Sequence, residues 1–161
     1  MSEVADYRLV RNSTLGAELT EEKAKLLTEK MGVRRLKDGE LLVAEGETDQ
    51  TLFVLASGQL SVTSKDADGM EQTLYLMKEG ECAGTRAFVE QSPRKATLRA
   101  VGDVTVYTLT PADFEALLDA YPRVAFKVMR ALFRVTHANL SRMNQETREL
   151  ANYITKTHGR Y

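Results

Sequence analysis

Several features that often reveal the class of a protein are scarce or missing in this sequence of 161 residues. It has one cysteine, Cys82, which excludes an internal disulfide framework and is typical of a reducing compartment. No apolar run is long enough to span a membrane, and residues 1–10 show no signal-peptide pattern. We therefore expect a cytoplasmic protein that makes no use of a membrane.

Residue sets that bind metals or perform catalysis are equally scarce. The histidines His137 and His158 are 21 positions apart, and neither lies near Cys82, so no zinc-ligand spacing is present. No Ser-His-Asp set, Cys-His pair or pair of carboxylates stands out in one element. We expect neither a metal site nor a cofactor, and an enzyme is the least favoured class of protein.

An excess of positive charge is also absent. The chain has 22 Lys and Arg residues against 23 Asp and Glu residues, a formal net charge of -1. This balance argues against a dedicated nucleic-acid-binding domain, which usually presents a basic face. It leaves room for a small anionic ligand, because one or two cations and a helix N-terminus suffice for a single phosphate.

What the sequence does contain is a change of pattern after residue 31. Residues 15–31 predict a helix, with Thr20 as its N-cap and acidic residues in its first turn. Over Val33–Leu109, short alternating or β-branched runs separated by glycines are typical of a β-barrel or sandwich. Asp68-Gly69 is a strong hairpin signal. The predicted strands are Glu40–Ala44, Thr51–Ala56, Gly58–Ser64, Gln72–Met77, Ala96–Ala100 and Thr105–Thr110.

The pattern becomes helical again after Pro111. Residues 112–120 predict one helix, and Tyr121-Pro122 separates it from a second helix that has no Gly or Pro up to Thr155. This second helix permits a rod of roughly 50 Å, and its 3,4 spacing is typical of a coiled coil. We expect it to join two chains as a homodimer. In the alternative, the first half of the helix packs on the β-domain of its own chain and the rest is solvated. The expected dimer seam includes Met129, Leu132, Met143 and Leu150, with Thr136 and Asn139 among its polar positions.

The most informative stretch combines glycines, a short helical turn and an arginine. The turn lies in Gly80-Glu81-Cys82-Ala83-Gly84-Thr85-Arg86-Ala87-Phe88, where glycine lets backbone N–H groups approach a ligand. An arginine follows in Ser92-Pro93-Arg94-Lys95-Ala96-Thr97-Leu98, at the start of a predicted strand. Together these two segments predict a cradle for a phosphate.

This stretch resembles the phosphate-binding cassette of cyclic nucleotide-binding domains, whose usual pattern is F-G-E-[LI]-A, a short spacer and P-R-x-A-[TS]. Upstream, Lys37–Glu40 with Ala44–Glu47 and Leu52–Leu55 with Ser57–Leu60 resemble the opening motifs of the same family. The resemblance covers roughly residues 15 to 155.

The resemblance implies a mainly β fold with flanking helices. Residues 15–122 would form an eight-stranded β-roll of jelly-roll type with an N-terminal helix, preceded by a tail at residues 1–14. Residues 123–161 would form a lid and dimerisation helix. Arg94 would pair with the cyclic phosphate, and the turn that ends at Ala87 would donate backbone N–H groups to it. The expected ligand-binding residues are Gly84, Thr85, Arg86, Ala87, Arg94, Lys95, Ala96 and Thr97.

Four residues depart from the cassette of the family. Ala83 replaces Phe, and Thr85 replaces the Glu that accepts a hydrogen bond from the ribose 2′-hydroxyl. Losing a charge-assisted bond of that kind lowers affinity by about one to two powers of ten. Arg86 and Lys95 add two cations, which either favour a more anionic ligand or point to solvent.

These features predict a regulatory domain that binds a cyclic nucleotide and couples this binding to the C-terminal helix of a dimer. The dimer would act on an unidentified downstream protein. Lys95 lacks the hydroxyl that accompanies a preference for guanine in the family, so cAMP is favoured over cGMP. Thr136 and Asn139 are the candidate contacts to the base, and Asn139 is equally suited to fixing the register of the dimer.

Two alternatives to this sensor remain. Thr85 favours a degenerate pocket, in which the β-roll and the coiled coil serve as a ligand-independent dimer or partner-binding platform. The family also includes transcription regulators of the catabolite activator type, but a helix-turn-helix domain would need several dozen residues beyond Tyr161. DNA binding by this chain is therefore not expected, unless the sequence is a piece of a longer protein.

Overall fold

The computed structural model describes residues 3–158, apart from the side chains of Asn139, Leu140, Arg142, Met143 and residues 155–158. The elements, in chain order, are α1 (Tyr7–Arg11), α2 (Glu21–Thr28), β1 (Gly32–Leu36), β2 (Leu41–Val43), β3 (Leu52–Lys65), β4 (Glu71–Met77), β5 (Cys82–Ala83), α3 (Thr85–Glu90), β6 (Thr97–Leu109), α4 (Pro111–Ala120) and α5 (Pro122–His158).

The N-terminal segment contains two short helices. The Thr20 side chain accepts a hydrogen bond from the Lys23 amide at the start of α2, as predicted. A second helix, α1, lies within the segment that was expected to be a tail. Asp6 caps it by accepting a hydrogen bond from the Arg8 amide, and its Val10 is fully buried in the core.

The strands form one antiparallel sheet in the order β1-β6-β3-β4, with β2 paired to β6 and β5 paired to β3. This confirms the predicted fold class, a mainly β fold with flanking helices. Eight strands were expected, and the described residues form six. The difference arises because β3 and β6 each continue through a glycine that the sequence pattern marked as a break. Gly58 and Gly102 have φ of +89° and +72°, a conformation that glycine adopts without strain.

The two faces of β3 pack against different cores. Phe53 and Leu55 belong to the interior of the roll, which is built from strand residues alone. Leu52 and Val54 belong to a second core, which the helices complete. This alternation packs the helices directly against the outside of the roll.

Helix α5 begins in the second core and then leaves it. The buried residues at its start are Val124, Ala125, Val128, Ala131 and Leu132. Leu132 is only 1% exposed within its own chain, so the expectation that it lies on a dimer seam is wrong. Leu132 belongs instead to the face of α5 that packs on the β-domain, whereas Met129 and Leu150 of the expected seam are exposed. Within residues 3–158, no helix is both long and apolar enough to cross a membrane.

Candidate functional site

A cavity of about 540 Å³ opens where the sheet, the β5–α3 turn and α5 meet. Two parts of its lining come from separate segments of the chain. The cassette wall consists of residues 84–87 and 93–96, and the helix wall consists of Val135 and Ala138 of α5. The remaining lining residues are Thr14, Val43, Val62, Tyr75, Met77, Glu81, Cys82, Ala83 and Leu98.

Arg94 is the buried charge of the cassette wall, with only 5% of the residue exposed. Its Nη2 donates to the backbone oxygen of Thr51 at 2.8 Å and to Asp49 Oδ2 at 3.2 Å. The ring of Phe53 lies under the guanidinium, 5.4 Å from Cζ to the ring centroid. Nε and Nη1 are buried and have no partner among the described residues. Buried donors are rarely left unpaired, so this guanidinium has two nitrogens available to donate to an anion.

A loop that lies far from Arg94 in sequence fixes its position. The Arg94 amide donates to the oxygen of Glu47 at 2.8 Å, and the amide of Gly46 donates to the oxygen of Arg94 at 2.9 Å. In the same loop, Asp49 accepts a hydrogen bond from the Thr51 hydroxyl at 2.9 Å, which orients its carboxylate. The loop of residues 46–51 therefore holds both the main chain and the side chain of the arginine.

Gly84 allows the β5–α3 turn to lie directly against the guanidinium. Its φ is +81°, and a Cβ at this position would lie 2.5 Å from Arg94 Nη1 and 3.0 Å from the oxygen of Thr51. Gly84 also precedes α3, whose first N–H groups have no acceptor within the helix. The turn thus brings backbone donors close to the unpartnered nitrogens of Arg94.

The other predicted cassette residues are placed unequally. Thr85, Ala87, Lys95 and Ala96 line the cavity together with Arg94, although Lys95 is exposed. Arg86 also lines it, but its side chain is 65% exposed and its Nε pairs with Glu90 at 3.1 Å. Thr97 lies outside the cavity lining, and its hydroxyl accepts a hydrogen bond from the Glu45 amide.

The predicted contacts of the long helix are displaced by one residue. Thr136 is outside the cavity lining and donates its hydroxyl to the oxygen of Leu132, and the Asn139 side chain lies outside the described residues. The residues of α5 that line the cavity are instead Val135 and Ala138. Both are one position earlier than predicted and apolar, so a search for polar base contacts could not find them.

Cys82 lines the cavity as a small, unreactive side chain. Burial raises the pKa of its thiol to about 11, and the hydroxyl of Thr14 lies 3.2 Å from its Sγ. At neutral pH the thiol is therefore protonated and a poor nucleophile. The described residues contain no group of three or more His, Cys, Asp or Glu side chains that could hold a metal ion.

Comparison with known proteins finds the same domain in regulators and in kinases. The chain is 31% identical to the cyclic AMP receptor protein of Thermus thermophilus over 102 residues, 63% of this chain and 47% of that protein. It is 32% identical to the cAMP-dependent protein kinase regulatory subunit of Yarrowia lipolytica over 83 residues, 52% of this chain and 21% of that protein. The chain thus spans less than half the length of either relative.

Solved structures share the fold. The catabolite activator protein of Thermus thermophilus superposes with a TM-score of 0.78 at 26% identity, covering 86% of this chain and 63% of that one. A cyclic nucleotide-binding domain from Methylobacillus flagellatus gives a TM-score of 0.80 at 17% identity, covering 87% and 81%, which shows the fold alone. The sequence model of the cyclic nucleotide-binding domain matches residues 33–121, more than half of the chain. This protein therefore belongs to the cyclic nucleotide-binding domain family.

Proposed function

We propose that this chain binds a cyclic nucleotide in the cavity, with cAMP as its preferred ligand, and conveys binding through α5 to a second copy of itself. The observation that carries the proposal is the buried guanidinium of Arg94, which has two nitrogens without a partner. A single anionic group placed between Arg94 and the turn at Gly84 would satisfy them. A cyclic phosphate has this charge and supplies acceptor oxygens for both nitrogens.

The rest of the cavity suits the body of a nucleotide. A volume of about 540 Å³ is within the usual range for small-molecule sites. Beyond the cassette wall its lining is largely apolar, through side chains such as Val43, Val62 and Leu98. Apolar walls of this kind bind the flat faces of a base, while the charged end fixes its orientation.

Two observations support cAMP as the ligand to test first. Lys95 has no hydroxyl to offer a guanine, in keeping with the resemblance described above. The relatives in Thermus thermophilus and Yarrowia lipolytica carry cyclic AMP in their names.

The helix wall supports the coupling to α5. Val135 lies three residues and Ala138 six residues beyond Leu132, the last buried position of α5 among the described residues, so a bound ligand would touch the helix where it leaves the core. A ligand shifts the helix only if it binds one helix position more tightly than another. Because the helix wall is part of the cavity, its position alters the contacts available to the ligand.

The exposed apolar residues of α5 support a dimer with a revised register. Phe126, Met129 and Phe133 are exposed by 62%, 36% and 71% within one chain. Leu150 and Ile154 continue the same 3,4 repeat and are exposed by 59% and 49%. Met129 and Leu150 belong to both the predicted seam and the revised repeat. Met143 fits this repeat by its sequence position, and its side chain lies outside the described residues.

Isothermal titration of protein freed of carried-over nucleotide tests the ligand site. We expect wild type to bind cAMP more tightly than cGMP, and Arg94→Gln to bind cAMP at least about a hundredfold more weakly, because a buried pair of charge-assisted bonds is lost. Arg99→Gln is the matched control, since Arg99 lies on β6 outside the cavity lining. Unchanged affinity in Arg94→Gln would show that the site is wrong. Absence of binding of either nucleotide by wild type up to millimolar concentrations would favour the ligand-independent platform.

A further inference from the structure

The charged groups of the cavity are unevenly divided between donors and acceptors. Arg86, Arg94 and Lys95 are cations that only donate hydrogen bonds. Among the described lining residues, Glu81 is the one with a carboxylate. A ligand that carries its own donors, besides an anionic group, therefore meets one strong side-chain acceptor in this cavity.

The carboxylate of Glu81 is held in place by its neighbours. The hydroxyl of Tyr75, on β4, donates to Glu81 Oε1 at 2.7 Å. The main chain of Glu81 is fixed at both ends, because its oxygen accepts from the Leu55 amide at 3.0 Å and its amide donates to the oxygen of Lys78 at 3.2 Å. Oε1 is thus engaged, whereas none of the described residues donates to Oε2. The carboxylate is oriented with one oxygen left for a further donor.

We propose that Glu81 is a specificity-determining residue, which selects ligands that present a hydroxyl or amino hydrogen-bond donor to the cavity. Tyr75 is a positioning residue, because it acts by orienting this carboxylate. This inference rests on the proposed function, since it assigns a role to one residue of the same cavity. It places the strongest acceptor at the β4–β5 connection, outside the cassette wall, where Thr85 offers only a neutral hydroxyl.

Two parts of a cyclic nucleotide supply such a donor, the ribose hydroxyl and the amino group of the base. The ligands that separate them are cAMP, its 2′-deoxy analogue and the analogue that lacks the 6-amino group. Each would be titrated into wild type, Glu81→Gln, Tyr75→Phe and Glu115→Gln. Glu115→Gln is the matched control, because Glu115 is an exposed carboxylate on α4, outside the cavity lining.

Glu81→Gln keeps the shape of the side chain and removes its charge. We expect it to weaken cAMP binding about tenfold, since hydrogen bonds to charged groups are roughly twice as strong as neutral ones. The analogue that lacks the recognised donor should bind wild type and Glu81→Gln equally, which identifies the donor. Tyr75→Phe should produce a smaller loss with the same dependence on the ligand, which a merely structural role would not produce.

The outcomes separate this inference from the proposed function. If wild type binds cAMP through Arg94, and Glu81→Gln binds all three ligands as wild type does, the role of Glu81 is wrong while the site stands. An equal loss for all three ligands also overturns it, because the residue would then act on the fold or on the phosphate. Absence of any cAMP binding by wild type overturns the proposed function, and this inference with it. Thermal denaturation of each variant checks that the fold is retained.

Discussion

The two walls of the cavity are built in different ways. In the cassette wall, Arg94 and Ala87 are buried, and hydrogen bonds from the loop of residues 46–51 fix the arginine. The helix wall lies where α5 passes from buried residues such as Leu132 to exposed ones such as Phe133. One chain completes the first wall by its own contacts, whereas the second depends on where α5 lies. Under the proposed function, we therefore expect ligand affinity to depend mainly on the cassette wall and the response of the helix to depend on the helix wall.

The largest effect is expected from a charge on the proposed dimer seam. Phe133→Asp should weaken dimerisation about a hundredfold, because each copy would bury an unpaired carboxylate. Phe133 is 71% exposed within one chain, so the monomer should keep its fold. Tyr153→Asp is the matched control, since Tyr153 is 68% exposed on the same helix and lies outside the revised repeat. Sedimentation equilibrium measures both. A dimer broken by Tyr153→Asp and kept by Phe133→Asp would restore the original register.

A methyl group at Gly84 tests the cassette wall. Gly84→Ala should weaken cAMP binding about thirtyfold, because its Cβ would displace the guanidinium of Arg94. Gly69→Ala is the control, because Gly69 has a similar φ of +79° with open space around it. Both variants should lose about 1 kcal/mol of unfolding free energy, since alanine is strained at positive φ. Denaturant unfolding and calorimetry separate the two effects. Equal affinities in the two variants would contradict the placement of the anion.

A negative charge on the helix wall tests whether α5 contacts the ligand. Val135→Asp should weaken binding of the anionic ligand about tenfold, through repulsion in a partly buried cavity. Asn144→Asp adds the same charge to an exposed position of α5, outside the cavity lining, and should leave affinity unchanged. Titration calorimetry measures both. Identical affinities would mean that the ligand does not reach α5.

The smallest effect is expected at Arg86. Its side chain is 65% exposed and pairs with Glu90, so Arg86→Gln should change cAMP affinity less than about threefold. Titration at low and at high salt is the measurement, because a screened surface charge loses its influence as salt is added. A loss as large as that of Arg94→Gln would show that both arginines bind the phosphate.

The sequence predicted the parts of the fold that repeat a short pattern. Thr20 marked the start of α2, and the alternation of β3 and β6 indicated strands. Helix α1 was missed because five residues are too few to show helical periodicity. Strand β1 was missed because two consecutive residues within it, Arg34 and Arg35, are both exposed. They break the alternation that is typical of a half-buried strand.

The site was predictable only where a motif carries it. Arg94 follows from its proline and its spacing to Gly84. Asp49 reaches Arg94 through a tertiary contact, which no local pattern records. Glu81 lies within the Gly80–Phe88 stretch, but its contact with Tyr75 in the cavity lining depends on the tertiary fold. Val135 was missed because α5 has a buried face, a face toward the cavity and an exposed apolar face. A shift of one residue in the sequence assignment moves a side chain from one of these faces to another.

The loop of residues 46–51 also makes this domain suitable for an optical sensor. It contacts Arg94 directly, so any movement of the guanidinium on ligand binding must also strain or shift the loop. Thr48 is an exposed position in this loop, and a fluorophore attached through Thr48→Cys would lie outside the cavity lining. The native thiol of Cys82 should react far more slowly than the introduced one at neutral pH, because burial raises its pKa to about 11. Fluorescence could then report site occupancy without any change to the cavity itself.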